Sequence, residues 1–336
     1  MAKSVLLWQP IATSCNTPVM AGRIFALDSG MSRSADERQR KHPDRWKPGF
    51  MRIAMDLPRY QPLRQDVDWP EAWRQHLLRT GLEANLRRVG VTQEDFWNRL
   101  GSWSRTMTSN GYPGALLERV ETYLLPGDRV LDIGAGGGAF SIPLARTAGH
   151  VTAVEPSPVQ SSLLASRAEE ESLDNLVILN QRWENADITA MGVHELVLAV
   201  HCVQMEDIRG ALSRMVEATG RSLLVIHTAG HDLAETLNSL FGLEASPDFT
   251  YPYNVLYQMG YQPDVEFVTR TSQVPLDGQM DMFRYNPGLN NDQCVALRDY
   301  LESEGRVFLV KSEPMIERSY RDAIIHVSKQ SQEESR

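Results

Sequence analysis

The sequence predicts an α/β protein built around a doubly wound, mostly parallel sheet. After about residue 128, short apolar segments alternate with stretches of helical periodicity, a pattern typical of a parallel sheet covered by helices on both faces. The first segment runs into a glycine-rich turn, in VLDIGAGGGAF at residues 130–140, where the backbone can approach a ligand closely. A chain of 336 residues with 42% hydrophobic content is long enough to bury a substantial core.

Two segments precede the sheet. Residues 1–65 contain scattered proline, glycine and charge with weak periodicity, so we expect an irregular N-terminal extension. Residues 66–112 are predicted to be helical, because apolar residues follow Pro70 at helical spacing with an interruption near Gly81. A Pro-Gly-Asp turn at residues 126–128 then leads into the first strand.

The sheet is predicted to contain seven strands. Short runs rich in Val, Ile and Leu mark them at residues 129–133, 150–154, 176–179, 196–200, 222–227, 265–271 and 320–328. Helical spacing marks the helices at residues 113–124, 140–148, 159–171, 208–218, 232–241, 254–259 and 292–303. Residues 276–305 are expected to form an insertion before the last strand, consisting of a loop and the last of these helices.

Composition disfavours several classes of protein. The net charge of −9 opposes binding to nucleic-acid phosphates, so no nucleic-acid partner is expected. No apolar run approaches the ~20 residues of a membrane helix and the N-terminus lacks a signal pattern, so no membrane partner is expected. Cys15, Cys202 and Cys294 lie far apart without metal-ligand spacing, which predicts a reducing, cytoplasmic location.

Two cofactor classes fit the glycine turn. Gly134-x-Gly136-x-x-Ala139 satisfies the dinucleotide fingerprint, so a nicotinamide cofactor stays open on the turn alone. Glu155 closes the second strand, where a carboxylate can accept hydrogen bonds from the ribose hydroxyls of either NAD or S-adenosylmethionine. Asp132 helps to separate the two, because a carboxylate in an apolar strand needs backbone amides or a cation, which a cationic amino-acid ligand would supply.

Four strand-end motifs carry a family resemblance. VLDIGAGGGAF, VTAVEPSP, LVLAVHCV and SLLVIHTAG resemble successive motifs of the class I S-adenosylmethionine-dependent methyltransferases, over about residues 113–274. The resemblance implies a Rossmann-like sheet of seven strands whose last strand, around Ile324, is antiparallel. It also implies an S-adenosylmethionine-binding methyltransferase domain at residues 113–330, with the helical segment at residues 66–112 covering the substrate.

The resemblance assigns the cofactor site residue by residue. It places the methionine part of S-adenosylmethionine against Asp132, Gly134, Ala135, Gly136 and Gly138. It implies that Glu155 binds the ribose and that Pro156 lies beside the adenine. Arg182 stands at the adenine end where the family usually has an acid, so the adjacent Trp183 is expected either to pack on the adenine or to be a core aromatic.

Three histidines are candidates for the chemistry. His201 closes the fourth strand, His227 closes the fifth and His231 follows it, so the three are expected to converge beyond the carboxyl ends of neighbouring strands. The resemblance places His201 near the sulfonium, as a cofactor contact and as the catalytic base for an acceptor that must lose a proton. A satisfied polar residue at the sheet rim is the alternative for each histidine. Glu206 and Asp207 would favour a metal site near His201. No ligand spacing specifies such a site, so no metal is assigned.

The acceptor is expected to be a small or medium organic molecule. The candidate acceptor contacts are Trp103, Met107, Tyr112, His227, His231 and Tyr253. The aromatic stripe that includes Trp103 and Met107 is also typical of a helix face packed in the core. Two other functions stay open on the sequence: an NAD(P)-dependent oxidoreductase, and a non-catalytic S-adenosylmethionine-binding accessory protein.

Overall fold

A computed structural model describes residues 67–98 and 112–329. The predictions for residues 1–65, and those for Trp103 and Met107, lie outside the described residues. Within the described ranges the chain forms one central sheet with helices packed on both faces. No helix in these ranges combines the length and the apolar character that a membrane crossing requires.

Eight strands form this sheet. They are β1 (Arg129–Ile133), β2 (His150–Val154), β3 (Leu176–Leu179), β4 (His194–Val200), β5 (Thr219–His231), β6 (Asp264–Pro275), β7 (Val307–Val310) and β8 (Glu313–Ser328). Their order is β3-β2-β1-β4-β5-β8-β6, with β7 paired to β8. Neighbouring strands are parallel in the part of the sheet formed by β3, β2, β1, β4 and β5. Strand β8 runs antiparallel to β5, β6 and β7. The predicted mostly parallel sheet with an antiparallel last strand is confirmed, and β7 is an additional strand.

Helices precede and connect the strands. Two of them, α1 (Trp69–Thr80) and α2 (Leu82–Arg88), meet at Gly81 as predicted, and residues 93–98 add a helical turn. The others are α3 (Ala115–Glu121), α4 (Ser141–Ala145), α5 (Pro158–Glu170), α6 (Ile188–Met191), α7 (Ile208–Glu217), α8 (Ala234–Phe241), α9 (Thr250–Gln258), α10 (Leu276–Tyr285) and α11 (Asn291–Ser303). A 3₁₀ turn covers Trp183–Asn185.

Helix α1 packs on one face of the sheet together with α7 and α9. Trp73 of α1 is fully buried in this layer, and its indole Nε1 donates a hydrogen bond to the Met205 carbonyl at 2.8 Å. That bond ties α1 to the loop after β4, at the carboxyl ends of the parallel strands where ligands bind in such sheets. Helix α1 therefore lies beside the predicted site.

Strands β5 and β8 extend beyond the segments predicted for them. The extension of β8 pairs with β6 from Thr271↔Ser319 to Pro275↔Met315, so a neighbouring strand supports it. It includes Arg318, a charged residue that the fold buries. Apolar periodicity underestimates the length of such strands. Charged residues that are paired in the fold look like solvent-exposed positions in the sequence.

The loop predicted at the start of residues 276–305 is wrong, since α10 occupies that position. Leu276, Met280 and Phe283 of α10 form a separate core cluster with Leu297 of α11 and Ile316 of β8. The helix is stabilised by this packing against distant residues, which the local sequence does not reveal.

Candidate active site

The glycine turn after β1 is tied to the end of β2. The backbone N–H groups of Gly134 and Ala135 both donate to the Val154 carbonyl, at 2.7 and 3.2 Å. Gly134, Gly136 and Gly138 have positive φ angles of 70°, 56° and 85°. An L-residue adopts this conformation only with strain, so the path of the turn depends on glycine.

These three glycines have different surroundings. A Cβ at Gly134 would lie 2.3 Å from the Cys202 Cβ, and a Cβ at Gly138 would lie 2.3 Å from the Leu164 Cδ1. A Cβ at Gly136 would meet no described atom within 4 Å. Gly134 and Gly138 are therefore required by close packing, whereas Gly136 faces open space in which a ligand can approach the backbone.

Glu155 lies beside this open position. Its carboxylate is buried and accepts hydrogen bonds from the backbone N–H of Gly136 at 2.8 Å and of Ser157 at 2.7 Å. Burial raises the pKa of Glu155, although the two backbone donors oppose the rise. The strand-end acid that the sequence singled out thus touches the turn itself.

Asp132 is the second buried carboxylate of the site. It is 2% exposed and accepts a hydrogen bond from the Ser141 hydroxyl at 2.6 Å. Burial raises its pKa to about 7, against the opposing effect of Ser141 and with a further contribution from Glu155. Within residues 67–98 and 112–329, no lysine, arginine or histidine forms an ion pair with it. A cation bound in the turn would relieve that cost, so the site fits the ammonium group of an amino-acid ligand.

The predicted adenine end contains both exposed and buried residues. Pro156 and Arg182 are exposed. Trp183 is 2% exposed, and its Nε1 donates to the Ala211 carbonyl of α7 at 3.1 Å while the Arg214 guanidinium covers the ring at 5.4 Å. This placement favours the core-aromatic interpretation of Trp183 over the adenine contact.

Asn180 at the end of β3 was not identified from the sequence. Its side-chain amide donates to the Glu155 carbonyl at 2.8 Å and to the Ser161 hydroxyl at 3.0 Å. It therefore fixes the backbone that carries Glu155. An asparagine directly after a buried strand is a weak signal for such a role, because asparagine is common in any turn.

His201 contacts a carboxylate from a distant part of the chain. Its Nε2 lies 3.3 Å from the Asp322 Oδ1 on β8, and the Asp322 Oδ2 accepts from the Arg270 Nε on β6 at 2.5 Å. Burial of Asp322 acts to raise its pKa, but His201 and Arg270 outweigh burial and lower it. We call His201, Arg270 and Asp322 the edge cluster; only His201 was identified from the sequence.

Tyr112 lies against the edge cluster. The Arg270 guanidinium is 5.2 Å from the centre of the Tyr112 ring, and the edge of that ring meets Phe140 at 6.2 Å. Burial raises the pKa of Tyr112 to about 12, so the phenol stays protonated at neutral pH. Burial also raises the pKa of the Cys202 thiol, whose Sγ contacts the Ile133 carbonyl at 2.9 Å. Cys202 is thus held as a protonated packing residue rather than as a nucleophile.

The other two predicted histidines lie in different surroundings. His227 is buried with its ring against Trp73 at 5.9 Å, and burial lowers its pKa to about 4, with a contribution from His201. His231 contacts Arg318 at 3.3 Å instead. Tyr253 stacks on Tyr257 within α9, with ring centres 6.3 Å apart. The expected convergence therefore brings His201 and His227 together, whereas His231 belongs to a separate group.

That separate group, His231, Asp232 and Arg318, we call the flank cluster. Asp232 accepts from the Arg318 Nε at 2.9 Å and also pairs with Arg306. Burial and the Arg318 charge together lower the pKa of His231 to about 4. The Tyr320 ring joins the two clusters, since the Arg270 guanidinium lies 4.5 Å and the Arg318 guanidinium 4.9 Å from its centre.

The two carboxylates next to the β4 loop have other roles in the fold. Asp207 caps α7 by accepting from the Gly210 N–H at 2.8 Å, and Glu206 lies 3.8 Å from the Arg74 guanidinium. In the part of the chain that the structure describes, no group of three or more His, Cys, Asp or Glu side chains is arranged to hold a metal ion.

Known proteins are similar in sequence to parts of this chain. Residues 130–221 match the family model of the methyltransferase domain. An uncharacterized protein of Haemophilus influenzae is 30% identical over 149 residues, which cover 43% of this chain and 55% of that protein. Ribosomal RNA small subunit methyltransferase G of Mycolicibacterium vanbaalenii is 28% identical over 125 residues, covering 37% and 52%. The chain thus spans about half the length of these relatives.

A solved structure that also matches is magnesium protoporphyrin IX methyltransferase from Synechocystis with bound S-adenosylhomocysteine. It is 16% identical with a TM-score of 0.38, over 77% of this chain and 99% of that one. The family match at residues 130–221 runs from β1 into β5, and so contains the glycine turn, Glu155 and His201. Residues 130–221 are therefore similar to a methyltransferase domain, and the glycine turn lies within this match.

Proposed function

We propose that this protein transfers a methyl group from S-adenosylmethionine to a small or medium organic acceptor, with His201 contacting the reacting groups. The observation that carries the proposal is the open face of Gly136, whose N–H is bonded to the buried Glu155, in a turn that follows a second buried carboxylate, Asp132. Asp132 has no cationic partner among the described residues, and the cofactor's ammonium group would provide one.

Each residue of the turn then has a task. Asp132 binds the ammonium group, Gly136 lets the methionine part approach the backbone, and Glu155 accepts from the ribose hydroxyls. Pro156, exposed after β2, lies beside the adenine. The sulfonium supplies an activated methyl group, so the protein contributes mainly orientation and exclusion of water.

The charge of the site disfavours a dinucleotide. A pyrophosphate in the turn would bring negative charge next to Asp132 and Glu155, both buried. An acceptor rich in phosphate groups would also be repelled, because the whole chain carries a net charge of −9. The cationic cofactor and a small acceptor are consistent with both observations.

Titration calorimetry with S-adenosylhomocysteine tests the cofactor site. Gly136→Val places a branched side chain in the open space, and we expect it to weaken binding by about 100-fold or more, comparable to losing ~3 kcal/mol of contacts. Gly305→Val is the matched control, because Gly305 also has a positive φ, of 67°, and no described atom within 4 Å of its Cβ position, but lies after α11. This control has a similar backbone strain and should bind like the wild type.

Two results would overturn the assignment. One is S-adenosylhomocysteine binding that survives Gly136→Val; the other is tight binding of NADH in its place. The acceptor class is tested separately with S-adenosylmethionine labelled in the methyl group, offered with small-molecule extract or with total RNA. Label transferred to RNA would replace the small acceptor with a nucleic acid, as in the ribosomal RNA methyltransferases among the relatives.

A further inference from the structure

We infer that Asp322 is a positioning residue that holds the His201 imidazole with its Nε2–H directed inward and its Nδ1 free, ready to take a proton from a hydroxyl group of the acceptor. The inference rests on the proposed function and narrows it to acceptors methylated on oxygen, such as phenols and alcohols. The carrying observation is the 3.3 Å approach of the His201 Nε2 to the Asp322 Oδ1.

The backbone fixes where this imidazole stands. His201 has a φ of +51°, a conformation that non-glycine residues seldom adopt and that the surrounding structure must enforce. Its N–H donates to the Ile226 carbonyl of β5 at 2.9 Å, which holds the residue directly after β4. The side chain is 31% exposed, so one part of the ring remains accessible. Its Nε2 is buried and has no hydrogen-bond partner of full geometry among the described residues, with Asp322 as the group it faces.

Asp322 is held in turn from its other side. Arg270 donates to Oδ2 at 2.5 Å, which leaves Oδ1 for His201. The Arg270 guanidinium is fixed between the rings of Tyr112 and Tyr320, at 5.2 and 4.5 Å from their centres. Asp322 is itself 1% exposed, so the carboxylate cannot turn toward water. The arrangement resembles the carboxylate that orients the imidazole in a hydrolase triad, although no nucleophile is required here.

The other titratable groups around His201 are uncharged at neutral pH or occupied elsewhere. His227 on β5 is neutral because its pKa is about 4, and Tyr112 is protonated because its pKa is about 12. Cys202 keeps its proton since burial raises the pKa of its thiol. Asp132 on β1 bonds to Ser141. The charged groups of the edge cluster are therefore Asp322 and Arg270, and of these the carboxylate faces the imidazole directly.

The proton and the electron pairs balance in such a transfer. The acceptor oxygen forms a bond to the methyl carbon, the bond from that carbon to sulfur breaks with its electrons remaining on sulfur, and the hydroxyl proton moves to the His201 Nδ1. Asp322 stabilises the imidazolium formed, because a carboxylate next to it offsets the new positive charge. A hydroxyl acceptor is helped by a base that takes its proton, whereas a neutral amine can attack before it loses its proton.

Nitrogen-15 NMR of the full chain, saturated with S-adenosylhomocysteine, tests the inference without a known acceptor. The His201 signals are identified by their loss in His201→Gln. We expect neutral His201 in the Nε2–H form in the wild type. Asp322→Asn can offer an amide N–H to Nε2, so the ring should switch to the Nδ1–H form. Glu266→Gln is the matched control, because Glu266 also pairs with an arginine, Arg119 at 2.6 Å, but does not contact His201.

The outcomes separate the inference from the proposed function. An Nδ1–H form in the wild type, or the same form in the wild type and in Asp322→Asn, would overturn the positioning role. If Asp322→Asn does not fold, an Nδ1–H form in the wild-type spectrum still overturns the positioning role. Absence of S-adenosylhomocysteine binding in the wild type would instead refute the proposed function. If the positioning role is correct, Asp322→Asn should bind S-adenosylhomocysteine within about threefold of the wild-type affinity, since Asp322 does not belong to the glycine turn.

Discussion

The edge cluster and the flank cluster contain the same three residue types in opposite arrangements. In the edge cluster the carboxylate of Asp322 lies between the imidazole of His201 and the guanidinium of Arg270. In the flank cluster the guanidinium of Arg318 lies between His231 and Asp232. A carboxylate next to an imidazole favours its charged form, and a guanidinium next to an imidazole opposes it.

The arginines of the two clusters also differ in exposure, since the side chain of Arg270 is 15% exposed. Arg318 is 1% exposed, and burial together with Arg318 lowers the pKa of His231 to about 4. His231 is therefore neutral at physiological pH and a poor proton acceptor, whereas His201 is partly exposed beside a carboxylate. The comparison teaches that the neighbour of a histidine, more than its place at a strand end, decides whether it can act as a base.

Asp132 extends the comparison to a carboxylate without a cation. His201 and Arg270 lower the pKa of Asp322 and two arginines lower that of Asp232, both despite burial, whereas burial raises the pKa of Asp132 to about 7. Among the described residues, Asp132 thus differs from the other two carboxylates in having no cationic partner. A cationic ligand would give Asp132 the positive charge that Arg270 gives Asp322 and that Arg318 gives Asp232.

The largest expected effect is the loss of stability on removing the flank carboxylate. Asp232→Ala leaves the buried Arg318 without its carboxylate, so we expect the free energy of unfolding to fall by about 3–5 kcal/mol. Asp322→Asn should cost less, about 1–3 kcal/mol, because the amide still accepts from the partly exposed Arg270. Urea unfolding of the two variants measures the difference. Equal losses would contradict a structural role for the flank cluster and a functional one for the edge cluster.

The pH dependence of cofactor binding tests Asp132. Because its pKa in the unliganded fold is about 7, against an ordinary value of 3.8, the ionised form is the costly one, and this group's contribution to stability is lost as pH rises between those values. An ammonium group bound beside Asp132 would favour the ionised carboxylate instead. Affinity for S-adenosylhomocysteine should therefore fall about tenfold per pH unit below pH 7. Calorimetry between pH 5.5 and 8 measures this, and Asp132→Asn should abolish the dependence; a wild-type affinity independent of pH would refute the contact.

Removing the flank guanidinium tests the electrostatics of His231. In Arg318→Met the pKa of His231 should rise from about 4, but should stay below its ordinary value of 6.5, because burial is the larger cause of the shift. NMR titration of the His231 ring follows the change. Arg270→Met is the matched variant and should leave His231 unaffected. An unchanged titration in Arg318→Met would show that burial alone holds His231 neutral.

The smallest expected effect concerns the ring that joins the clusters. Tyr320→Leu removes the aromatic face from both Arg270 and Arg318, and should cost about 1–2 kcal/mol of unfolding free energy. Tyr320→Phe keeps that face and should change stability by about 0.5 kcal/mol or less. Thermal or urea unfolding distinguishes the two. Similar losses in both variants would assign the contribution to the hydroxyl group instead of the ring.

Much of the parallel half of the fold could be predicted from the sequence. Strands β1, β2 and β4 contain short apolar runs because a central parallel strand is buried on both faces, and a run of this kind is visible without knowledge of its neighbours. The same local logic identified the glycine turn, Asp132 and Glu155, since each follows or interrupts a buried strand at a fixed offset. Their contact with the cofactor stays a prediction.

The edge cluster could be predicted only in part. Arg270 and Asp322 are 52 residues apart, and their contact depends on the register that pairs Arg270 with Tyr320 across β6 and β8. Two residues further along β8, Asp322 lies on the same face as Tyr320. A shift of one residue would move it to the other face, and nothing local in YRDAIIHVS specifies that register.

The sequence by itself determined the strand-turn-helix that carries the glycine turn of the candidate site, because strands buried on both faces and glycine-rich turns leave strong local patterns. Only the tertiary structure decided which histidine faces a carboxylate, that Trp183 belongs to the core, and that Gly136 is the glycine with open space. These properties depend on distances between residues far apart in the chain. Charge and burial act through space, so they are fixed by packing and register and not by neighbours in sequence.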